Sequence, residues 1–304
     1  MRILIIYFLL IQSFTGLSQS SFYNEIGKNG IQYKNFKWKV IYSNNFELYF
    51  NDGSENIANI ALDHIEENFS KLSSNVGHQP FKKTKIFIYN SLIDLKQSNI
   101  GINENDLFLN TNSNFNNKIQ FKVAFQNNIS AFKRDLNFEI SKVLISDLMK
   151  GNMSFSKRFG KASFTTIPKW FSEGAARYLA YGWDIEMDNI LRDYFLLTDK
   201  KKIKDINNNQ SEYIGQSMWN YISIKYGKSN ISNILNLSKI IRNPERAISS
   251  ALGISFEDFI INWANYYSES INNRFKNLKN DSNKNLELNL KFKNIEEIKS
   301  NQGG

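Results

Sequence analysis

Two stretches of the chain hold the residue types that could do chemistry: DLNFEISKVLIS, from Asp135 to Ser146, and PKWFSEGAARYL, from Pro168 to Leu179. In the first, apolar residues recur at helical spacing around Glu139, with Phe138 before it and Lys142 three residues after it. Imidazoles at those two flanking positions would sit one helical turn apart and share a divalent metal, leaving the glutamate as general base for a metal-bound water. A third ligand would come from a later helix. The side chains present do not suit that task. Phenylalanine has no lone pair, and lysine offers one only after losing a proton, which at pH 7 costs about 4–5 kcal/mol from a reference pKa near 10.4.

No other residue rescues a metal centre. The chain has two histidines, His64 and His78, and no cysteine. His64 borders the apolar face of an early helix and reads as a core or boundary residue, whereas His78 follows Gly77 in a turn and reads as solvated. Two carboxylates alone supply too few oxygen ligands for magnesium or calcium. Neither a metal nor another cofactor is expected. Two readings of Lys142 stay open: an ammonium held between Glu139 and Glu173 in a buried network, or a solvent-facing lysine beside an ordinary surface pair. Trp170, Phe171 and Tyr178 have helical spacing and read as core, and Glu66-Glu67 reads as a solvated helix face.

The elements that must position these residues change character along the chain. Phe36–Tyr42 and Phe46–Phe50 alternate apolar with polar around Ser43-Asn44-Asn45, a hairpin signal. A helix is expected over Ser54–Ser74, capped by Ser54, then strands over Thr84–Tyr89 and Lys118–Phe125 with a short helix over Leu92–Gln97. From Asn128 the apolar period becomes helical, predicting helices near 129–149, 168–181, 184–198, 212–226, 229–240 and 255–277. Pro168 suits a first helical turn, and Ser255 with Asp258 a capping box. The order implies an α+β fold, a mainly antiparallel sheet with helices over 19–127 followed by a helical subdomain over 128–278. Residues 279–304 read as a polar linker or the start of a further domain, with alternation through Leu286, Leu288, Leu290 and Phe292.

Composition narrows the cellular setting. Residues 1–18 join Arg2 to the apolar run ILIIYFLLI and to Gly16-Leu17-Ser18, the pattern of a signal peptide cleaved before Gln19. As a helix that run spans roughly 14 Å, too short for a hydrocarbon core of about 30 Å, so no transmembrane segment is expected in the mature chain. An exported protein without cysteines suits a bacterial envelope: periplasm, outer-membrane surface or medium. The net charge of +9 comes from lysines interleaved with asparagine along the whole chain. Without a basic stripe or a nucleic-acid motif, no nucleic-acid partner is expected.

Taken in order, these features resemble the gluzincin peptidases, and most of all the peptidase-MA-like domain that opens bacterial envelope proteins continuing into a TolB-like propeller. FELYF (Phe46–Phe50) and IYNSLIDLKQSNI (Ile88–Ile100) are similar to that family's early strands and turn. FEISK (Phe138–Lys142) stands where HExxH would, and PKWFSEGAARYL matches a P-x-W-x-x-E-G-x-A-x-Y segment. YIGQSMWNYISIKYG (Tyr213–Gly227) and ALGISFEDFIINW (Ala251–Trp263) resemble its later helices, so the likeness spans about residues 36 to 270. The resemblance makes Glu139 the former base, Phe138, Lys142 and Glu173 the former ligand positions, and Tyr213 a former oxyanion-stabilising position. It implies an exported pseudo-metallopeptidase serving as a binding or scaffold module, with an extended peptide or an envelope protein as partner. Two alternatives remain: a metal-independent hydrolase using Glu139 with Lys142 or Tyr213, and a purely structural front domain of a propeller protein.

Overall fold

The computed structural model describes residues 34–98, 120–150, 167–197 and 210–282, without the side chains of 150, 197 and 272–282. The expected signal peptide and the alternating segment from Leu286 to Phe292 lie outside the described residues. The fold is α+β. Four strands, β1 (Trp38–Tyr42), β2 (Phe46–Asn51), β3 (Thr84–Tyr89) and β4 (Gln120–Ala124), form one sheet in the order β1-β2-β3-β4. Helix α1 (Glu55–Val76) follows β2, and the short α2 (Leu92–Lys96) follows β3. The helical half comprises α3 (Ile129–Lys150), α4 (Lys169–Tyr181), α5 (Ile185–Leu197), α6 (Ser211–Tyr226), α7 (Ser229–Ile241), α8 (Pro244–Leu252) and α9 (Phe256–Ser282). None of the described helices is long and apolar enough to cross a membrane.

The sheet is mixed, which corrects the expectation of mainly antiparallel pairing. Only the β1–β2 hairpin is antiparallel; β2–β3 and β3–β4 run parallel, with Leu48 opposite Ile86 and Ile86 opposite Phe121. The reason lies in the connections. A tight turn joins antiparallel neighbours, while parallel ones need a crossover, and α1 between β2 and β3 is such a crossover. Phe46, Leu48 and Phe50 of β2 and Ile86 and Ile88 of β3 point to the same face and are buried with Ala58, Ala61, Ile65 and Phe69 of α1. The hairpin turn is closed by Ser43 N donating to Phe46 O at 3.0 Å. Glu66 is not a solvated face residue: its Oε2 accepts from Asn45 Nδ2 at 2.9 Å and so holds that turn. Glu67 is exposed.

Two terminal features differ from expectation. Pro168 sits at the N-cap of α4 with extended backbone (φ −58°, ψ 142°), one residue before the helix. Ser54 caps α1 through its carbonyl, while its hydroxyl bonds Asn90 Oδ1 at 2.5 Å. Helix α8 was not anticipated, although its signals are in the sequence: Asn243 accepts from Arg246 N at 2.9 Å, Pro244 follows, and Gly253 ends the helix in the left-handed region. Ser255 and Asp258 behave as expected, with Asp258 N donating to Ser255 Oγ at 3.0 Å.

Both histidines reach α3, His64 from within α1 and His78 from just past its C-terminal end. His64 Nε2 lies 3.1 Å from Lys133 O and 3.1 Å from Asn137 Oδ1, and Asn68 Nδ2 donates to Nδ1 at 3.3 Å. His78 is not solvated: it is half-buried, with Nε2 2.7 Å from Asp147 Oδ2. The correction has a packing cause. Gly77 turns the chain at φ 72°, and a Cβ there would come within 2.7 Å of Asn236 Nδ2 on α7, so the turn is pressed into the helical half.

His64 also sets a pH dependence. Burial, opposed in part by its bond to Asn137, holds the ring's pKa below the ordinary 6.5. Between the folded and unfolded pKa values the unfolded chain binds more protons, so this contribution is complete above pH 6.5 and is lost as pH falls through the folded value. The unfolding free energy should therefore fall as the pH drops from above 6.5 through the folded pKa, and fall less in His64→Gln. Equal slopes in urea titrations of the two proteins would refute this.

Helix α6 forms the centre of the helical half. Residues Ile214 to Ser223 are buried on every side, which is why the segment mixes apolar residues with Gly215, Gln216, Ser217 and Asn220. Its inward polar groups are satisfied. Ser217 Oγ donates to Ile214 O at 2.6 Å and accepts from Trp263 Nε1 at 3.0 Å, while Asn220 Nδ2 donates to Tyr267 Oη at 2.8 Å. Trp170, Trp219 and Trp263 are wholly buried among these helices. Trp170 and Phe171 are core, as expected, and Tyr178 packs half-buried against them.

Candidate functional site

The site is the seam where α3, α4 and α6 meet. Helix α4 lies on α6 more extensively than any other two elements pack, and α3 covers its other side. The closeness has a local cause. A Cβ on Gly215 would stand 1.8 Å from Trp170 O, and one on Gly174 would stand 2.6 Å from the Gly215 carbonyl carbon, so the backbones of α4 and α6 touch. That contact brings Arg177 of α4 against Tyr213 and Gln216 of α6.

Helices α3 and α4 run antiparallel across the seam. Tyr181 Oη donates to Asp135 Oδ1 at 3.1 Å, and the Tyr181 ring lies 5.5 Å from that of Phe138. Arg177, one turn earlier on α4, lies 5.9 Å from the Phe138 ring centroid. Continued by one turn on each helix, that register predicts Glu173 and Lys142 at the same level of the seam.

The pairing around Lys142 is only part of the expected network. Lys142 Nζ donates to Glu139 Oε1 at 3.1 Å and Oε2 at 3.2 Å, and stands 5.1 Å from the Phe138 centroid. It makes no ion pair with Glu173 within 4.0 Å. The Lys142 and Glu139 side chains are 31% and 24% exposed, so the pair is partly open to solvent and not in a sealed core. Both readings of Lys142 were therefore half right. An i, i+3 pair is satisfied within one helix, and the helix-to-helix bridge is not made.

Arg177 is the residue that sequence reasoning missed. Its guanidinium carbon lies 4.1 Å from the Tyr213 ring centroid and 5.1 Å from that of Tyr181, and its Nε donates to Gln216 Oε1 at 3.1 Å. Gln216 is 1% exposed, and its Nε2 donates to Gly182 O at 2.9 Å. The amide is thereby oriented with its oxygen toward Arg177. Tyr213, a former oxyanion-stabilising position by the resemblance, serves as a stacking platform for a cation. The available signal was a lone basic residue one helical turn after Glu173 in the otherwise small and aromatic stretch EGAARYL. The Tyr181 hydroxyl is held above the ordinary phenol range, first by burial and then by the charge of Asp135.

No family model, no curated protein and no solved structure matches this chain. What the seam can do follows from its own side chains. A zinc ion does not fit them: one required donor is a phenyl ring, and the other is an ammonium whose proton is held by hydrogen bonds to Glu139. Among the described residues no group of three histidine, cysteine, aspartate or glutamate side chains converges as metal ligands. What the seam does offer is charge recognition, through an oriented guanidinium, a paired lysine and three carboxylates.

Proposed function

We propose that this chain is an exported, non-catalytic relative of the zinc metallopeptidases that acts as a binding or scaffold module in the bacterial envelope. The observation that carries the reading is the contact of Lys142 Nζ with both oxygens of Glu139, at 3.1 and 3.2 Å. A carboxylate engaged by an ammonium through both oxygens is a poor base for water, because taking a proton there means giving up charge-assisted hydrogen bonds. The contacts of Phe138 with Tyr181 and Arg177 support the same reading, since they set the former ligand helix α3 against the helix that carries Glu173. An extended peptide is the partner proposed here. Strand addition uses main-chain hydrogen bonds and needs no metal, and β4, an end strand of the described sheet, packs on α3.

The test is elemental analysis of the purified protein together with turnover of an unbiased peptide mixture followed by mass spectrometry. The expected result is no stoichiometric zinc and no cleavage, in the wild type and in Glu139→Gln alike. One zinc per chain, with cleavage that Glu139→Gln abolishes, would overturn the proposal.

A further inference from the structure

The guanidinium of Arg177 is built into the seam yet left with unused donors. Stacking on Tyr213 at 4.1 Å and the Nε bond to Gln216 at 3.1 Å fix its plane. A fixed guanidinium loses little freedom when its remaining N–H groups bind a ligand. Among the described residues, neither terminal nitrogen has a protein acceptor, and neither is sealed from solvent. One helical turn earlier on the same helix, Glu173 is half-buried and also has no hydrogen-bonded or ionic partner among the described residues. Oppositely charged residues four apart on a helix ordinarily pair. Here Arg177 is drawn across to α6, and among the described residues the two charges make no ion pair with each other. Lys142, on the opposite wall and also near the Phe138 ring, has its ammonium committed to Glu139.

We propose that Arg177 is the docking point for a carboxylate, and that Glu173 beside it selects ligands carrying a cationic group near that carboxylate, as a zwitterionic peptide does. The planar fork of two parallel N–H donors matches a carboxylate in two-point geometry. Phosphate and sulfate offer similar oxygens, but their higher charge density is repelled by Glu173 and by Glu139, so the neighbouring carboxylates set the ligand class. This deepens the reading of the seam as a binding site and rests on it.

The experiment uses the full chain and four peptides followed by tryptophan fluorescence or calorimetry: trialanine, its C-terminal amide, N-acetyl-trialanine, and Ala-Glu-Ala amide. Trialanine should bind at least about 10-fold more tightly than its amide, a typical loss for a charge-assisted hydrogen bond. Ala-Glu-Ala amide tells a side-chain carboxylate from a chain terminus as the source, and recovery of affinity there keeps the proposal with the side chain as source. Arg177→Met should remove the preference for a free carboxylate. Arg177→Lys should restore it only partly, because lysine lacks the stacked fork. N-acetylation should weaken binding to the wild type and have no further effect in Glu173→Gln, while Arg192→Gln, an exposed control, should change nothing. Circular dichroism on each variant separates lost binding from lost folding, and if Arg177→Met fails to fold, the wild-type comparison of trialanine with its amide decides alone. Peptide binding indifferent to amidation would overturn this inference and leave the non-catalytic reading intact. Trialanine recovered in fragments would overturn that reading instead, while a persisting dependence on the carboxylate would leave this inference standing.

Discussion

Gly215→Ala is expected to prevent folding or to destabilise the chain by at least about 3 kcal/mol, the upper part of the range for overpacked interiors. The added Cβ would lie 1.8 Å from Trp170 O, 2.6 Å from Trp170 C and 2.8 Å from Trp170 Cα. All three are backbone atoms, so no side-chain rotamer can move aside. Trp170 is 1% exposed, and α4 cannot retreat without opening the core around Trp219 and Phe171. Gly253→Ala is the useful comparison. That glycine has φ +70° but nothing within 4 Å of a built Cβ, so its substitution should cost only the left-handed strain, about 1–2 kcal/mol. Urea unfolding of both variants checks the difference, and a Gly215→Ala protein that folds with a loss below about 1 kcal/mol would show that α4 and α6 are not in backbone contact. Because Tyr213 and Gln216 flank Gly215, loosening this crossing should also release Arg177.

Joint replacement Phe138→His and Lys142→His should create a zinc site where the wild type has none. The two positions lie one turn apart on α3, and the register of α4 predicts Glu173 at the same level, which would complete three protein ligands and leave a fourth position for water. The expected outcome is about one zinc per chain after exhaustive dialysis, with affinity at least about 100-fold above either single variant, since each imidazole removed leaves a site short of the usual three ligands. Adding Glu173→Gln should weaken the new site by about 10–100-fold. Zinc retention by the double variant no better than by wild type would reject the seam as a former metal centre, and with it the proposed peptidase kinship. The exchange also frees Glu139 from Lys142, so a regained metal tests the pairing now seen at 3.1 Å as well.

Much of the fold was legible because its elements obey local rules. The β1–β2 hairpin, α1, β3, β4 and the long helices fall within a few residues of the boundaries that periodicity predicts. Strand direction was misread, since β1–β2 alternation looks the same whether the next neighbour runs parallel or antiparallel; the strand–helix–strand order of β2, α1 and β3 was the better guide. Helix α8 was missed because its nine residues are too few for a convincing period, although Asn243, Pro244 and Gly253 mark both ends. His78 and Glu66 were misplaced for one shared reason. A polar residue on a turn or an outer helix face is solvated unless a segment distant in sequence comes to meet it, as Asp147 and Asn45 do.

The amino-acid sequence alone determined the chemistry that the seam lacks: no order of packing gives a phenyl ring a lone pair or makes a lysine bonded to Glu139 an easy ligand. Only the tertiary structure decided what stands there in its place. Arg177 could have paired with Glu173 inside its own helix, and local spacing favours that choice. The glycine crossing of α4 and α6 brings Tyr213 and Gln216 within its reach instead, because a guanidinium gains more from a ring face and an oriented buried amide than from a neighbouring carboxylate it must share with water.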